Sequence, residues 1–456
     1  METEEKLSRY IAATQFEDLP TPVVDLVKNQ ALGILGTAIA GARQEGCGAV
    51  VAKVKEWGGK EEATLFVYGG KAPSYNAVFA NGLMARALDY DDAMSPGFHA
   101  GGCTVPTGLA VSESRGGKSG KEFLTALAVG AEVGARLRLT EQQYDGFDAT
   151  GFCGAFASAA IAGRLLGLNS AQILHALALA FTRCGGSIQS NIDGALSARL
   201  IQGFASKEGV ICAELAAEGI TGPVNFIEGV WGYIHLYGKD EAGTLAGAKE
   251  LGERYVLMET MFKRYPSCAG TFASTDAALA LRREIGFDPE TVDRIDVHVT
   301  PYFHKMVGHP FKIGATPRVN AQFSIQYCVA NALLRGKAKL QHFEEEQVRD
   351  AGIMQLVRKI FVLPDPGLEE KGHTSARMEL RTKDGRVHHK AVEVASGFPG
   401  NALSREDHIV RFWDCINYAG DYFDRENGEK LLDMVENLET VRDIRVMIPL
   451  LVAGKR

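Results

Sequence analysis

The run Leu88-Asp89-Tyr90-Asp91-Asp92-Ala93-Met94-Ser95-Pro96-Gly97-Phe98-His99 crowds three carboxylates, an imidazole and two backbone breakers into one turn. Carboxylates and imidazole are side chains that exchange protons, so general acid–base chemistry is what such a segment offers. The stretch before it, from Ser74 to Leu88, carries Val78, Phe79, Leu83, Ala87 and Leu88 at helical spacing, which puts the acids at a helix C-terminal end. That end is already partially negative. Stacking Asp89, Asp91 and Asp92 on it is costly unless cations, hydrogen-bond donors or protons compensate, and crowding should raise at least one carboxyl pKa. Conflict of this kind often marks function; the alternative is a solvated acidic loop.

Other chemistries find less support. Asp91-Asp92 in a helical context is similar to a Mg²⁺-binding Asp-Asp-x-x-Asp, but Ser95 stands where the final acid belongs. Asp89, Asp92 and His99 form a conceivable ligand set, yet no second acidic cluster completes it, and no metal is expected. Gly116-Gly117-Lys118-Ser119 fails as a phosphate loop because Ser112 occupies the place of its first glycine. No Gly-x-Gly-x-x-Gly follows a strand pattern, so no dinucleotide cofactor is expected. Neither a Gly-x-Ser-x-Gly elbow nor a His-Glu-x-x-His helix occurs. Cys103 and Cys268 lack a Cys/His signature and read as small buried side chains.

The elements that must position the acidic turn are mostly helical. Thr21-Pro22 offers an N-cap and a first-turn proline for the run through Val24, Leu26, Val27 and Leu32. Ser119 and Glu122 form a capping box before Phe123, Leu124, Leu127, Val133 and Leu137, and Ala171 to Thr182 supplies another helix. Gly151, Ala155, Ala159 and Gly163 recur every four residues, the pattern of closely packed helices rather than of a membrane span. After about residue 265, Ile295, Val297 and Val299 alternate with Asp296, His298 and Thr300 as in a half-buried strand. Met378-Glu379-Leu380 and Val387 to Val394 flank the turn signal Lys383-Asp384-Gly385 and predict a β-hairpin. Helices over Thr271 to Ile285 and Asn320 to Leu334 make this second part α+β, and helical spacing returns in Arg405 to Tyr418 and Gly428 to Leu438. The expected architecture is a mainly α helical-bundle domain, residues 1–264 and 397–456, with an inserted α+β lid domain, residues 265–396.

The 456 residues are 46% hydrophobic, enough for a large core and two to three domains. With 49 basic against 56 acidic side chains, and no basic cluster with interleaved aromatics, no nucleic acid partner is expected. The eight scattered cysteines fit a reducing compartment, and the polar, acidic first twenty residues do not resemble an export signal. A cytoplasmic protein without membrane partners is the expectation.

Several segments together resemble the MmgE/PrpD family, which includes 2-methylcitrate dehydratases, cis-aconitate decarboxylases and an iminodisuccinate epimerase. Leu88 to Asp92 with His99 and Val105-Pro106 is similar to its Leu-Asp-Phe/Tyr-Asp-Asp, His-Pro and Val-Ile-Pro signature. Phe147 to Gly154 resembles Phe-His-x-Thr-Gly-x-x-Gly, Phe262 to Cys268 resembles Phe-Lys-x-Tyr-Pro-x-Cys, and Phe323-Ser324-Ile325-Gln326-Tyr327 matches a further motif. The resemblance spans nearly the whole chain. It implies a helical-bundle domain, an α+β lid, a homodimer and a cofactor-free site between the two domains. It also implies active-site places for Asp89, His99 and Lys263. Three positions depart: Asp148 stands where a histidine is usual, Ala93 replaces a threonine, and Ala198-Arg199 with Ile201 replaces the stretch Thr-Lys-Arg-Leu-His.

The reactions of these relatives move a proton, or break a C–C bond, next to a carboxylate. His99 is the first candidate for the proton, its alternative being a loop histidine bonded to a backbone carbonyl. Lys263 and Arg264 precede Pro266 and the predicted helix from Thr271, where cations and free N–H groups suit a small di- or tricarboxylate. Lys263 serves either as a charged stabiliser of enolate or as a base. Asp89 orients His99 or holds a shared proton. Tyr144 joins the catalytic candidates, and Asp148, Arg199 and His304 join Arg264 as candidates for binding substrate. The expected activity is a cofactor-independent carboxylic-acid lyase of the 2-methylcitrate dehydratase type. The alternatives are an epimerase of an iminodisuccinate-like dicarboxylate, which needs no leaving-group acid, and a catalytically silent carboxylate-binding relative.

Overall fold

A computed structural model describes residues 2–193, 195–240, 245–372 and 374–454. The chain divides into two compact units, residues 1–260 with 408–456 and residues 261–407, so that the second interrupts the first.

The first unit is a helical bundle. Its helices are α1 (Thr3–Ala13), α2 (Thr21–Gly41), α3 (Cys47–Trp57), α4 (Ser74–Arg86), α5 (Ala100–Ser114), α6 (Gly120–Arg136), α7 (Ala149–Leu165), α8 (Ser170–Arg183) and α9 (Ile201–Ala217). Helix α7 is the hub, packed against α5, α6, α8 and α9. Small residues permit this: a Cβ on Gly209 would lie 2.7 Å from both the Ala155 carbonyl oxygen and the Ala159 nitrogen. The four-residue repeat along α7 therefore marks close helix contact, as its spacing predicts. Helix α2 is long and apolar enough to cross a membrane, but 78% of its most apolar window is buried inside the protein, as in a core helix.

Helix boundaries follow local chemistry. Glu122 N–H donates to Ser119 Oγ at 3.2 Å and Ser119 N–H to Glu122 Oε2 at 2.9 Å, closing the predicted capping box of α6. At α2 the prediction shifts by one residue: Pro20 is the N-cap, without a side-chain bond, and Thr21 is already helical. Residues 218–260, read from sequence as part of an almost wholly helical region, are largely irregular among the described residues. Side chains hold them instead. Arg136 and Glu132, both buried on α6, pair at 2.6 Å. The Arg136 guanidinium also donates to the carbonyls of Gly247, Lys249, Glu250 and Arg254. Glu132 accepts the N–H groups of Val256 at 3.0 Å and Leu257 at 2.8 Å.

The second unit is α+β. Its helices include α10 (Phe272–Ile285), α11 (Pro301–Val307) and α12 (Ile325–Arg335). Its strands are β1 (Val292–Val299), β2 (Ile360–Pro364), β3 (Ala376–Thr382) and β4 (Val387–Val392), in sheet order β2-β1-β3-β4. Strand β1 is parallel to β2 and antiparallel to β3, with Ile295 opposite Ile360 and Leu380. The predicted hairpin is β3-β4, closed through Gly385 at φ +85°. Ile295, Val297, Val299, Met378 and Leu380 turn inward onto Phe272, Leu281, Tyr327 and Leu333. The helix expected over Asn320 to Leu334 is broken at Phe323, because Ser324 caps α12 by accepting Tyr327 N–H at 3.2 Å. Helices α13 (Arg405–Ala419) and α14 (Arg425–Glu436) return the chain to the first unit.

Arg136→Met removes the partner of a buried carboxylate and four carbonyl contacts. Urea denaturation should register a loss of about 3–5 kcal/mol; a loss below ~1 kcal/mol would show that solvent already satisfies Glu132.

Candidate active site

The acidic turn leaves α4 through Asp89, whose φ of +51° is the left-handed conformation that short polar side chains tolerate. Arg86, in the last helical turn, pairs through Nη1 with Asp89 Oδ1. Burial alone would lower the guanidinium pKa, but Asp89, Asp91 and Asp148 outweigh it and raise it, so the charge is permanent. Arg411 of α13, itself buried, donates to the Tyr90 carbonyl at 2.9 Å and lies 4.9 Å from that ring's centre.

Asp91 and Asp92 point apart into different donors. The fully enclosed Asp91 carboxylate accepts Gln202 Nε2 at 2.6 Å, and His99 Nδ1 stands 3.1 Å from the same oxygen. That approach is a close contact and not a hydrogen bond, for His99 Nδ1 has no hydrogen-bond partner among the described residues. His99 retains 14% of its side-chain exposure, so the imidazole is reachable while its acidic partner is not. Asp92 accepts Gln30 Nε2 at 2.9 Å and the Gly101 N–H at 3.0 and 3.1 Å, one per oxygen. This carboxylate thus occupies the positive N-terminus of α5. Burial foremost, then the charge of Asp91, pushes its pKa up to about 6.

Two glycines make the approach possible. A Cβ at Gly101 would sit 2.2 Å from Asp92 Oδ1, and one at Gly102 would sit 1.7 Å from Gln202 Oε1. The loop before α5 is fixed from α7. Asp148 caps that helix by accepting Thr150 N–H at 2.9 Å, and the Thr150 hydroxyl donates to the Gly97 carbonyl at 2.9 Å while accepting His99 N–H at 3.0 Å. Tyr144 packs its ring 5.2 Å from Phe147; burial, then Asp148, raises its phenol pKa.

Of the residues singled out from sequence, the structure therefore gathers His99, Asp89 and Asp148 around Arg86 and Asp91, with Tyr144 beside Asp148. Arg199 donates to the Glu45 carbonyl at 2.9 Å, just before α3. Lys263, Arg264 and His304 belong to the second unit. There Lys263 is buried, and Arg264 Nη2 lies 3.1 Å from Asp407. The neighbouring Tyr265 hydroxyl donates to Asp276 at 2.5 Å, and His304 sits on α11 with its ring 6.4 Å from His309. Sequence reasoning did not select Arg86, Gln30, Gln202 or Arg411. Its available signals were an arginine three residues before Asp89 and isolated glutamines in apolar helical runs.

A cavity of about 440 Å³ also opens in the first unit, walled by Arg138, Glu141, Lys249, Arg254 and Glu259 among others. Ser95 is its one residue from the 88–99 segment, and its hydroxyl is bonded to Glu141. Arg138 and Arg254 both pair with Glu259, at 2.6 and 3.2 Å. Its wall contains neither His99 nor the aspartates of the acidic turn.

A helical bundle is thus interrupted in sequence by an α+β unit, and the bundle carries an imidazole 3.1 Å from a buried carboxylate. The chain belongs to the MmgE/PrpD family: the N-terminal domain model of that family matches residues 5–245 and the C-terminal domain model matches residues 265–440. Among its relatives, the cis-aconitate decarboxylase of Homo sapiens is 26% identical over 401 residues, covering 83% of this chain and 79% of its own length. That of Aspergillus terreus strain NIH 2624 is 24% identical over 467 residues, covering 95% and 93%. The 2-methylcitrate dehydratase of Escherichia coli K12 is 24% identical over 389 residues, covering 78% of each chain.

Asp92 gives the site a pH signature. Between its ordinary value of 3.8 and about 6, the folded protein keeps a proton that the unfolded chain has released. Its contribution to stability therefore falls as pH rises through that window, by at most about 3 kcal/mol, and is level above it. In urea titrations from about pH 4 to 8, the stability of Asp92→Asn relative to the parent should climb across the window and then flatten. A pH-independent difference would rule out the raised pKa.

Proposed function

We propose that this chain is a cytoplasmic carboxylate lyase that removes a proton α to a carboxylate of a small di- or tricarboxylate, with His99 transferring the proton. The observation that carries this reading is the reachable imidazole at 3.1 Å from the enclosed Asp91 carboxylate. A buried carboxylate beside a ring nitrogen stabilises the imidazolium formed when the ring takes a proton. Gln202 holds in place the same Asp91 oxygen that faces His99. The family and the names of the relatives support substrates bearing several carboxylates. Eight cysteines, all free thiols and seven of them buried, support a reducing compartment.

Asp148 favours a second reading. Where the family pattern has a histidine, this chain has a carboxylate engaged as a helix cap, which is poorly suited to protonating a leaving group. An epimerase or isomerase acting on a dicarboxylate such as iminodisuccinate needs no such acid. The reactions separate in deuterated water, where proton NMR of cis-aconitate, 2-methylcitrate and aspartate-derived acids distinguishes elimination or decarboxylation products from label gained without net elimination. Label alone selects the isomerase, and binding without either selects a silent relative.

His99→Ala should lower kcat by about 10²- to 10⁴-fold with the fold retained, and Asp91→Asn by about 10²-fold or more. Activity within a few-fold of the parent in His99→Ala would remove it from the mechanism. Lys263, assigned through its motif, should behave like His99 on replacement by Ala; unchanged turnover would reduce it to a structural lysine.

A further inference from the structure

Arg86 is the one guanidinium of the His99 cluster that is both held in place and still reachable, with 11% of its side chain exposed. Its hydrogen bonding is incomplete. Nη1 is taken by Asp89, while Nε is enclosed and has no partner among the described residues. In a guanidinium the Nε–H and Nη2–H bonds run parallel, and that edge is the fork that grips a carboxylate with two bonds. An enclosed N–H without an acceptor is costly, and a bound carboxylate would remove the cost. The surroundings also ask for it. Asp89, Asp91, Asp92 and Asp148 make the cluster acidic, so a polycarboxylate reaching His99 needs a cation; Arg411 Nε is likewise without a partner among the described residues, but its Nη2 holds the Tyr90 carbonyl and the residue is buried. Ala198 stands where the family pattern carries a lysine, so this chain has one cation fewer from that segment.

We propose that Arg86 receives a substrate carboxylate in its Nε–Nη2 fork, with Nη1 remaining on Asp89, and so presents the adjoining C–H to His99. This rests on the reading of the site as one for small di- or tricarboxylates. Arg86 is then a residue that touches substrate, and its removal weakens binding before it slows chemistry.

The test is calorimetric titration of cis-aconitate, citrate and succinate into the full-length protein, its Arg86→Lys and Arg86→Gln variants, and the double variant Arg86→Gln/Asp89→Asn. The double variant leaves no uncompensated carboxylate at position 89, and Asn accepts the left-handed backbone there. For whichever acid the parent binds most tightly, Kd should rise at least about tenfold in both Gln variants and fall partway back in Arg86→Lys, which restores charge without the fork. A Kd within threefold of the parent in the folded double variant overturns the inference and leaves the proposed function standing. No binding of any acid by the parent overturns both. A second measurement needs no variant. Phenylglyoxal labelling of the parent, mapped by mass spectrometry, should lose its Arg86 adduct when the acid is saturating; an adduct equally abundant with and without the acid overturns the inference.

Discussion

Like charge forced together at the end of a helix is the constraint around which the first unit is arranged. Three aspartates follow the C-terminus of α4, and a fourth, Asp148, lies within the same electrostatic field at Arg86. Left in a low-dielectric interior without partners, such a group would protonate or unfold the turn. Each acid has instead been given a different kind of partner. Asp89 has a guanidinium, Asp91 an amide and an imidazole, Asp92 an amide and a helix N-terminus, and Asp148 the start of α7. The separation also distinguishes them, because among the described contacts Asp91 is the acid that faces an imidazole. Asp92, denied a full counter-charge, meets its burden by holding a proton more tightly.

These partners come from distant parts of the sequence, which ties the site to the bundle. Gln30 projects from α2, Gln202 from α9, Thr150 from α7 and Arg411 from α13. Every one is hydrogen-bonded to the segment between Tyr90 and Gly101. The imidazole is consequently positioned by backbone, through His99 N–H to Thr150, as well as by its ring. The glycine pair that opens α5 lets two side-chain polar groups come within contact of the helix backbone, and any larger residue there would push carboxylate and amide apart. Helix-on-helix packing thereby sets the spacing of these groups, a more rigid arrangement than a loop alone provides.

What could be read from the linear sequence divides along the same line. Periodicity gave helices α2, α4, α6, α7 and α8, the alternating strand at Ile295 and the hairpin around Gly385, because those patterns are local and repeat. Local charge conflict flagged Asp89 to His99 before any coordinates. The compensating groups were not legible: nothing in the residues around Gln30 or Gln202 says that their amides meet an aspartate some 62 or 111 residues away in sequence. Arg136 was hidden for a similar reason. An arginine at the end of an amphipathic helix ordinarily reads as solvated, and only the folded segment at 247–257 shows it enclosed by carbonyls. The break at Phe323 was missed because an apolar stripe continues through it while a single serine side chain decides the boundary.

The departures from the family pattern acquire a common physical sense from this geometry. An aspartate at 148 adds negative charge beside groups that already carry too much, and loss of the lysine at 198 removes a positive one. Such a change is tolerable only if a permanent cation is embedded nearby, and Arg86 is charged under every condition in which the protein is folded. A histidine at 148 would be free to give a proton to a departing hydroxyl, whereas the aspartate there is engaged in accepting Thr150 N–H. An elimination that expels hydroxide needs such a donor and an isomerisation does not, so the contacts of position 148 bear on which of the two proposed reactions the chain performs.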